Sequence, residues 1–167
     1  KGFELTFAAL ISKFTISFQM QILIVKLSSI GDIIHTLPVL SALRFALPNA
    51  EISWIVEKKS AEILRENPLI SKLIEIDTKS LRNKGSIGKK FALARENLRE
   101  LRATKFDVVI DFQGLLKSAT IAKLSKAKRS YGFAKESLRE PASRILLTKT
   151  FSIEPNINII RKNLRLA

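Results

Sequence analysis

Residues 20–38 read MQILIVKLSSIGDIIHTLP, and this stretch decides the fold. The apolar run over 22–25 predicts a buried strand, and the small residues that follow Lys26 predict a tight turn. Apolar residues with helical spacing resume at Asp32, which predicts a helix whose first residue carries a carboxylate. Because ligands bind at the carboxyl ends of strands in open α/β sheets, we expect this turn to belong to a functional site.

The rest of the chain repeats this alternation of strand and helix. Strands are predicted at 21–26, 51–56, 72–76, 106–112 and 129–133, and helices at 32–47, 60–67, 91–103, 115–126, 138–147 and 156–166. This order predicts an α/β fold with a doubly wound, mainly parallel sheet. Pro38 lies inside the first helical pattern, so we expect that helix to be kinked or offset near its start.

Composition restricts the function classes. The 167 residues include 29 Lys and Arg against 15 Asp and Glu, a net charge of +14, and no cysteine. Disulfides and thiolate metal sites are therefore excluded. The charge predicts an anionic partner, which could be a nucleic acid, a membrane surface or a phosphorylated substrate. Aromatic residues make up 7% of the chain and are not interleaved with the basic ones, which favours anionic lipid or sugar phosphate over nucleic acid.

The first 19 residues have an apolar, aromatic bias that Lys13 interrupts. The longest uncharged stretch, 5–12, is too short to span a bilayer, which needs about 20 apolar residues. Three interpretations remain open: translated sequence upstream of a start at Met20, an amphipathic membrane-surface segment, or an extra strand. We favour the first, since a strand that begins directly after Met20 is a natural start of a protein.

The turn after the first strand contains neither GxGxxG nor GxxxxGK[ST], so neither a standard dinucleotide fingerprint nor a P-loop is supported. Asp32 has two interpretations, a helix cap and a general base with Lys26 as its partner across the turn. The helix dipole and Lys26 both favour the ionised carboxylate, so a base here would accept a proton late or mainly orient a hydroxyl. His35 shares the helix face of Asp32 and is either a lining residue or a functional one.

A second turn, at the end of the 106–112 strand, has a similar make-up. Gln113, Gly114, Lys117 and Ser118 offer hydrogen-bond donors and a close backbone approach at the same sheet edge, although a plain turn and a solvated lysine would look the same. The basic segment that includes Lys79, Arg82 and Lys84 is either solvated surface or a loop that closes on an anion. Arg139 could pair with Glu136 or bind a phosphate.

Taken together, these motifs resemble glycosyltransferase family 9, the lipopolysaccharide heptosyltransferases. The residues that carry the resemblance are ILIVKLSSIGDIIHTLPVLSALR (22–44), ISWIVE (52–57), FDVVIDFQGLLKSA (106–119), YGF and REPAS (131–143) and NIIRKNLRLA (158–167). The resemblance implies a Rossmann-like domain, the N-terminal half of a GT-B glycosyltransferase. It also implies inverting transfer of L-glycero-D-manno-heptose from ADP-heptose to Kdo of Kdo2-lipid A. The alternative within the family is heptosyltransferase II or another member with a different acceptor.

The resemblance also implies roles for single residues. Asp32 of the SSxGD motif would be the catalytic base, and Lys26 would position or polarise it. The acceptor-binding residues would be Ser28, Ser29, Gly31, His35, Gln113, Gly114, Lys117, Arg139, Lys79, Arg82 and Lys84. No metal and no cofactor are expected, since ADP-heptose is the donor substrate.

The implied domain organisation is a non-family extension over 1–19, an acceptor-binding domain over 20–155 and the start of an inter-domain segment over 156–167. The C-terminal donor-binding domain is absent, so we expect this chain not to turn over substrate by itself. The implied location is the cytoplasm, peripheral to the inner face of the cytoplasmic membrane. A basic Rossmann-like module that binds nucleic acid without catalysis is the alternative from another functional class.

Overall fold

The computed structural model of the chain describes residues 19–78, 87–138, 140–154 and 156–167, with the backbone alone for residues 87, 89–91 and 137. Within these ranges the strands are Gln21–Val25 (β1), Glu51–Glu57 (β2), Lys72–Ile76 (β3), Val108–Asp111 (β4), Arg129–Phe133 (β5) and Lys149–Phe151 (β6). The α-helices are Ile30–Ile34 (α1), Leu37–Ala46 (α2), Ile87–Arg102 (α3), Leu116–Leu124 (α4) and Ile159–Leu166 (α5). Short 3-10 helices occupy Lys58–Ile63, Lys135–Ser137 and Pro141–Leu146.

The strands form one sheet in the order β3-β2-β1-β4-β5-β6. Each neighbouring pair is parallel, and β1 lies between β2 and β4. The strand order reverses at β1 and β4, which makes the junction of these two strands the topological switch point of the sheet. The predicted Rossmann-like, doubly wound parallel fold is confirmed.

Both faces of the sheet are covered, which explains why its strands read as continuous apolar runs. Successive residues of β1 alternate between two buried clusters: Ile22 and Ile24 pack in one, Leu23 and Val25 in the other. The first cluster includes Trp54, which is fully buried. These four β1 side chains are at most 2% exposed, so the strand that leads into the first turn is fixed on both sides.

The predicted helix over 32–47 is wrong as a single element, because the structure has two helices there, α1 and α2, separated by His35 and Thr36. Pro38 explains the break: it has no N–H to donate, and its ring would clash with the carbonyl group four residues earlier. The structure places Pro38 in the first turn of α2, where the missing donor costs little. The helix α1 also begins earlier than predicted, at Ile30, so Asp32 is its third residue and not its first.

Other differences lie at the periphery of the sheet. The edge strand β6 was not predicted from the sequence, since it has only three residues and carries Lys149 at a solvent-exposed edge. The predicted helices over 60–67 and 138–147 are 3-10 helices in the structure. The basic segment with Lys79, Arg82 and Lys84 lies outside the described residues.

Two glycines of the site motifs are expected to respond oppositely to alanine. Gly114 has φ of +69°, and an added Cβ would lie 2.6 Å from Leu138 Cδ2, so Gly114→Ala should lower the free energy of unfolding by about 2 kcal/mol or more. Gly31 is helical and its added Cβ would meet nothing within 4 Å, so Gly31→Ala should raise it by about 0.5–1 kcal/mol. Urea unfolding of both variants measures the two effects, and equal stabilities would contradict these assignments.

Candidate functional site

The two turns singled out in the sequence meet at the switch point. They are adjacent because β1 pairs with β4, and the Phe112 N–H extends this pairing by donating to the Val25 carbonyl at 3.0 Å. The side chain of Gln113 then joins the turns directly: its Oε1 accepts from the Leu27 N–H at 3.0 Å and from the Ser28 N–H at 3.2 Å. Gln113 therefore fixes the backbone of the first turn.

Asp111, the last residue of β4, holds the second turn. Its Oδ1 accepts from the backbone N–H groups of Gln113 (2.9 Å) and Gly114 (3.2 Å), and its Oδ2 accepts from Ser118 Oγ at 2.9 Å. Burial raises the pKa of Asp111 from its ordinary value of 3.8 to about 6, although these hydrogen bonds and the charge of Lys26 act to lower it. The desolvation of the carboxylate thus outweighs its favourable contacts.

Lys26 follows β1 directly and is only 5% exposed. Its Nζ donates to the Phe112 carbonyl oxygen at 3.0 Å, and its own carbonyl oxygen accepts from Trp54 Nε1 at 3.0 Å. A buried ammonium is tolerated only with polar partners, and here they lie at the carboxyl end of β4. Lys26 is therefore held at both its backbone and its side chain.

Asp32 faces the first turn from within α1. Its Oδ2 accepts from both the backbone N–H of Ser29, at 3.1 Å, and the Ser29 hydroxyl, at 3.2 Å. This is the arrangement of a capping box, in which the third helical residue reaches back to the cap. The cap interpretation and a role in chemistry are compatible, because the side chain that makes both capping bonds also lines a cavity.

The cavity lies at the carboxyl ends of β1 and β4 and has a volume of about 180 Å³. It brings together a carboxylate and two lysines from two distant parts of the chain, residues 26–32 and α5, with Gly114 from a third part at its wall. Its lining consists of Lys26, Asp32, Phe112, Gln113, Gly114, Leu115, Phe133, Ile159 and Lys162. Such a cavity can take a small anionic or polyhydroxyl group and place it beside a carboxylate.

Lys162 is a member of this cavity that the sequence did not indicate as functional. Its Nζ lies 4.7 Å from the centre of the Phe133 ring, a cation–π distance, and burial lowers its pKa below the ordinary value. Lys162 lies in NIIRKNLRLA, a segment that carries the family resemblance, but the sequence assigned it no role, because its place in the cavity depends on how α5 packs against α2 and β5. Only knowledge of the tertiary fold could have assigned it.

Lys117 is not among the residues that line the cavity. Its Nζ is hydrogen-bonded to Glu57 Oε1 and Thr78 Oγ1, and the side chain of Glu57 is only 5% exposed. The Glu57 carboxylate also accepts from the backbone N–H and the hydroxyl of Thr78. The structure thus places Lys117 in a polar cluster beside the cavity, at the carboxyl end of β2.

The remaining predicted acceptor residues are not among those that line the cavity, or they lie outside the described residues. Ser29, Gly31 and His35 are solvent-exposed, whereas Ser28 is half-buried. Arg139, Lys79, Arg82 and Lys84 lie outside the described ranges. The neighbouring Glu140 accepts from the backbone N–H of Leu116 at 2.6 Å and so caps the start of α4.

Metal sites and membrane spans are both missing from the part of the chain that the structure describes. No group of three or more His, Cys, Asp or Glu side chains in the described ranges is placed to hold a metal ion. None of the helices that the structure describes combines the length and the hydropathy required to cross a membrane.

Comparison with known proteins assigns the family. The family model of glycosyltransferase family 9 (heptosyltransferase) matches residues 94–167. Lipopolysaccharide heptosyltransferase 1 of Pseudomonas aeruginosa is 36% identical over 126 residues, which are 75% of this chain and 36% of that protein. The enzymes of the same name from Campylobacter coli and Escherichia coli are each 33% identical, over 88% and 80% of this chain and 40% and 42% of their own lengths.

The solved structures agree. Escherichia coli heptosyltransferase WaaC with ADP-2-deoxy-2-fluoro heptose superposes with a TM-score of 0.82 and 29% identity, over 88% of this chain and 47% of that chain. The chain belongs to glycosyltransferase family 9. Escherichia coli ADP-heptose lps heptosyltransferase II, at 17% identity and a TM-score of 0.69, shows the shared fold alone. The chain spans about two fifths of the length of the curated family 9 relatives that it matches.

The buried carboxyl of Asp111 is expected to lower the free energy of unfolding of this family 9 fold as the pH rises. Because its pKa is about 6 in the folded chain and 3.8 when exposed, the folded state binds the proton more tightly. The contribution of Asp111 to the free energy of unfolding is fully present below pH 4 and decreases as the pH rises through 6. The total decrease is on the order of 2–3 kcal/mol. The difference in free energy of unfolding between Asp111→Asn and the wild type should therefore shift in favour of the variant by this amount from pH 4 to pH 7. Urea unfolding at each pH measures this difference.

Asp107→Asn is the matched control of opposite sign. Hydrogen bonds from the Gln21 N–H and Lys128 lower the pKa of Asp107, so its contribution is present at neutral pH and is lost on acidification. The wild type should exceed Asp107→Asn in stability at pH 7 and lose this advantage as the pH falls. Parallel pH profiles for the two variants would refute the assignment for Asp111.

Proposed function

We propose that this chain is the acceptor-binding, base-bearing half of an inverting heptosyltransferase of lipopolysaccharide inner-core synthesis. The donor is ADP-L-glycero-D-manno-heptose, and the acceptor is a Kdo hydroxyl of Kdo2-lipid A. One observation carries the proposal: the cavity at the switch point places Asp32 together with Lys26 and Lys162. A carboxylate can accept the proton that the acceptor hydroxyl must lose. The two cations can bind the anionic groups of the acceptor molecule.

The proposed step is a single displacement at the anomeric carbon of the heptose. The acceptor oxygen forms the new C–O bond, and its proton passes to the Asp32 carboxylate. The bond between the anomeric carbon and the diphosphate oxygen breaks, and ADP leaves with the electron pair. Since attack and departure occur on opposite faces, the configuration inverts.

The geometry of Asp32 supports a role as base. Ser29 holds Oδ2 through two hydrogen bonds, so the carboxylate has a fixed orientation and remains an acceptor. Positioned acid–base groups contribute about 10²–10⁴-fold to a rate. Lys26, held by the Phe112 carbonyl, supplies a positive charge at the same cavity, which favours the ionised carboxylate before transfer.

The cations of the cavity suit the acceptor. Kdo carries a carboxylate and lipid A carries phosphates, and we propose that Lys26 and Lys162 bind the nearest of these groups. The backbone at Gly31 leaves open space that a sugar ring can approach. Ser28, Ser29, His35, Gln113 and Gly114 would shape the rim and the wall. Arg139, Lys79, Arg82 and Lys84 remain proposed contacts to more distant phosphates.

Lys117 is proposed to contact the acceptor, but its ammonium group already has an acidic partner, Glu57. An anionic group that approached its ammonium would compete with the Glu57 carboxylate, to which Lys117 is already bonded. Lys117 would therefore contribute less to acceptor affinity than a cation without an acidic neighbour. Thr78, bonded to the same pair, connects this cluster to residue 79, where the basic segment begins.

The proposal includes a donor-binding half that lies outside these 167 residues. The relatives are more than twice as long as the matched segment, and one of the superposed WaaC structures is that of the enzyme with ADP-2-deoxy-2-fluoro heptose. We propose that residues 20–155 bind the acceptor and that 156–167 lead into the donor-binding half. The assembled enzyme would work in the cytoplasm at the inner face of the membrane, where the net charge of +14 on this chain would attract anionic lipid.

Asp32→Asn is expected to abolish transfer without unfolding the protein. The amide oxygen can still accept from the Ser29 N–H and hydroxyl, so the cap survives, but the proton acceptor is lost. In a polypeptide that carries this chain together with a donor-binding half, kcat should fall at least about 100-fold. Single-turnover transfer assays and the thermal midpoint measure the two quantities.

Glu62→Gln is the control for removal of a carboxylate. Glu62 is an exposed partner of Arg65 and does not line the cavity. Its kcat should equal that of the wild type. Near-normal turnover by Asp32→Asn would refute the base assignment, and an equal loss in both variants would point to a general charge effect.

The same polypeptide should prefer Kdo2-lipid A to heptosyl-Kdo2-lipid A as acceptor, with a kcat/KM at least about 10-fold higher. A lost sugar contact typically changes this ratio by that factor or more. This preference is supported by the 33–36% identity to enzymes named lipopolysaccharide heptosyltransferase 1. The reverse preference would assign the chain to the heptosyltransferase II type.

A further inference from the structure

A buried chain of hydrogen bonds connects α5 with the residue proposed as the base. Thr36, directly after α1, is fully buried, and its Oγ1 donates to the backbone carbonyl oxygen of Asp32 at 2.8 Å. Asn163 of α5 is 1% exposed, and its Nδ2 donates to Thr36 Oγ1 at 3.0 Å and to the His35 carbonyl oxygen at 3.2 Å. Residues that are 127 positions apart in the sequence thus hold one end of α1.

The helix α1 needs such support. It has five residues, and a helix this short does not stabilise itself in water. Ser29 and Asp32 close its N-terminal end through the capping contacts, whereas Thr36 and Asn163 bind its C-terminal end. The orientation of the Asp32 side chain is therefore set by contacts at both ends of the helix that carries it.

Asn163 is not the residue that stability alone would favour at its position. Its Oδ1 is buried and has no hydrogen-bond partner among the described residues, which destabilises the fold. An apolar side chain of similar shape would avoid this unfavourable contribution but would lose the two bonds to His35 and Thr36. Those bonds are what Asn163 contributes.

We propose that Thr36 and Asn163 are positioning residues that hold Asp32 in its reactive orientation and couple it to α5. The inference rests on the proposed function for its catalytic part. Lys162 precedes Asn163 on the same helix and lines the same cavity as Asp32. One helix thus sets the position of a cavity cation directly and that of the carboxylate through Thr36.

The test compares Thr36→Val with Thr36→Ser in the polypeptide that carries the donor-binding half. Valine keeps the shape of threonine and removes the hydroxyl, so kcat should fall about 10-fold while both KM values stay within about twofold, because displacement of a catalytic group affects the chemical step. Serine restores the hydroxyl and should return kcat to within about twofold of the wild type. Asn163→Leu should lower kcat similarly, and the double variant Thr36→Val with Asn163→Leu should lose no more than either alone.

Thr120→Val is the matched control, since Thr120 Oγ1 donates to the Leu116 carbonyl oxygen at 2.8 Å, the same i to i−4 bond on α4. It should leave kcat unchanged. A wild-type kcat in Thr36→Val, a failure of serine to restore it, or an equal loss in Thr120→Val would overturn the proposal.

Amide hydrogen exchange separates this inference from the proposed function. In Thr36→Val, exchange at the Ile33 and His35 amides of α1 should accelerate about 10-fold while the Ile74 amide of β3 stays unchanged, since local openings of separate elements are independent. Unchanged exchange at α1 overturns the proposed positioning whatever the activity. Accelerated exchange in a protein whose wild type transfers no heptose supports the coupling and refutes the proposed function alone.

Discussion

The parallel pairing of β1 with β4 is the constraint on which the site depends. It is the one place in the described sheet where the strand order reverses, so two turns leave it in opposite directions and open a space between them. Gln113 joins the two turns, because its side-chain oxygen accepts hydrogen bonds from two backbone N–H groups of the first turn. Without these two bonds, the N–H groups of Leu27 and Ser28, residues that are buried and half-buried, would lose this acceptor.

Electrostatics at this junction are set by burial as much as by charge. Asp111 and Lys26 are adjacent buried ions of opposite sign, yet desolvation still raises the pKa of Asp111 to about 6. Asp111 therefore serves the fold as an acceptor for the N–H groups of the second turn, and it gains a proton as the pH falls through about 6. Asp32 lines the cavity, and its carboxylate accepts from Ser29. The two aspartates differ in role because one is enclosed by its own turn and the other faces the cavity.

The strands of the sheet centre could be predicted from the sequence because their burial on both faces leaves uninterrupted apolar runs, as in 22–25 and 52–56. The turn residues Lys26, Asp32, Gln113 and Gly114 followed from the rule that ligands bind at strand carboxyl ends, and the structure brings them together. Lys162 and Asn163 could not be predicted, since their roles arise from the packing of α5 against α2. The pairing of Lys117 with Glu57 was also missed, because the carboxyl end of β2 shows no sign in the sequence that it faces α4.

The family assignment and the candidate site draw on different parts of the chain. The family model matches 94–167, which holds Gly114 and Lys162 but not Asp32. The part of the chain that includes Asp32 is matched instead by the relatives and the WaaC superposition, which cover 75–88% of the chain. What makes these two parts one site is physical: β1 pairs with β4 at one side of the cavity, and Asn163 binds the end of α1 at the other. Lys162 lies on α5, and Asp32 is linked to the same helix through Thr36 and Asn163, so a shift of α5 would change the position of both groups. Lys26 is held separately, by the Phe112 carbonyl and Trp54.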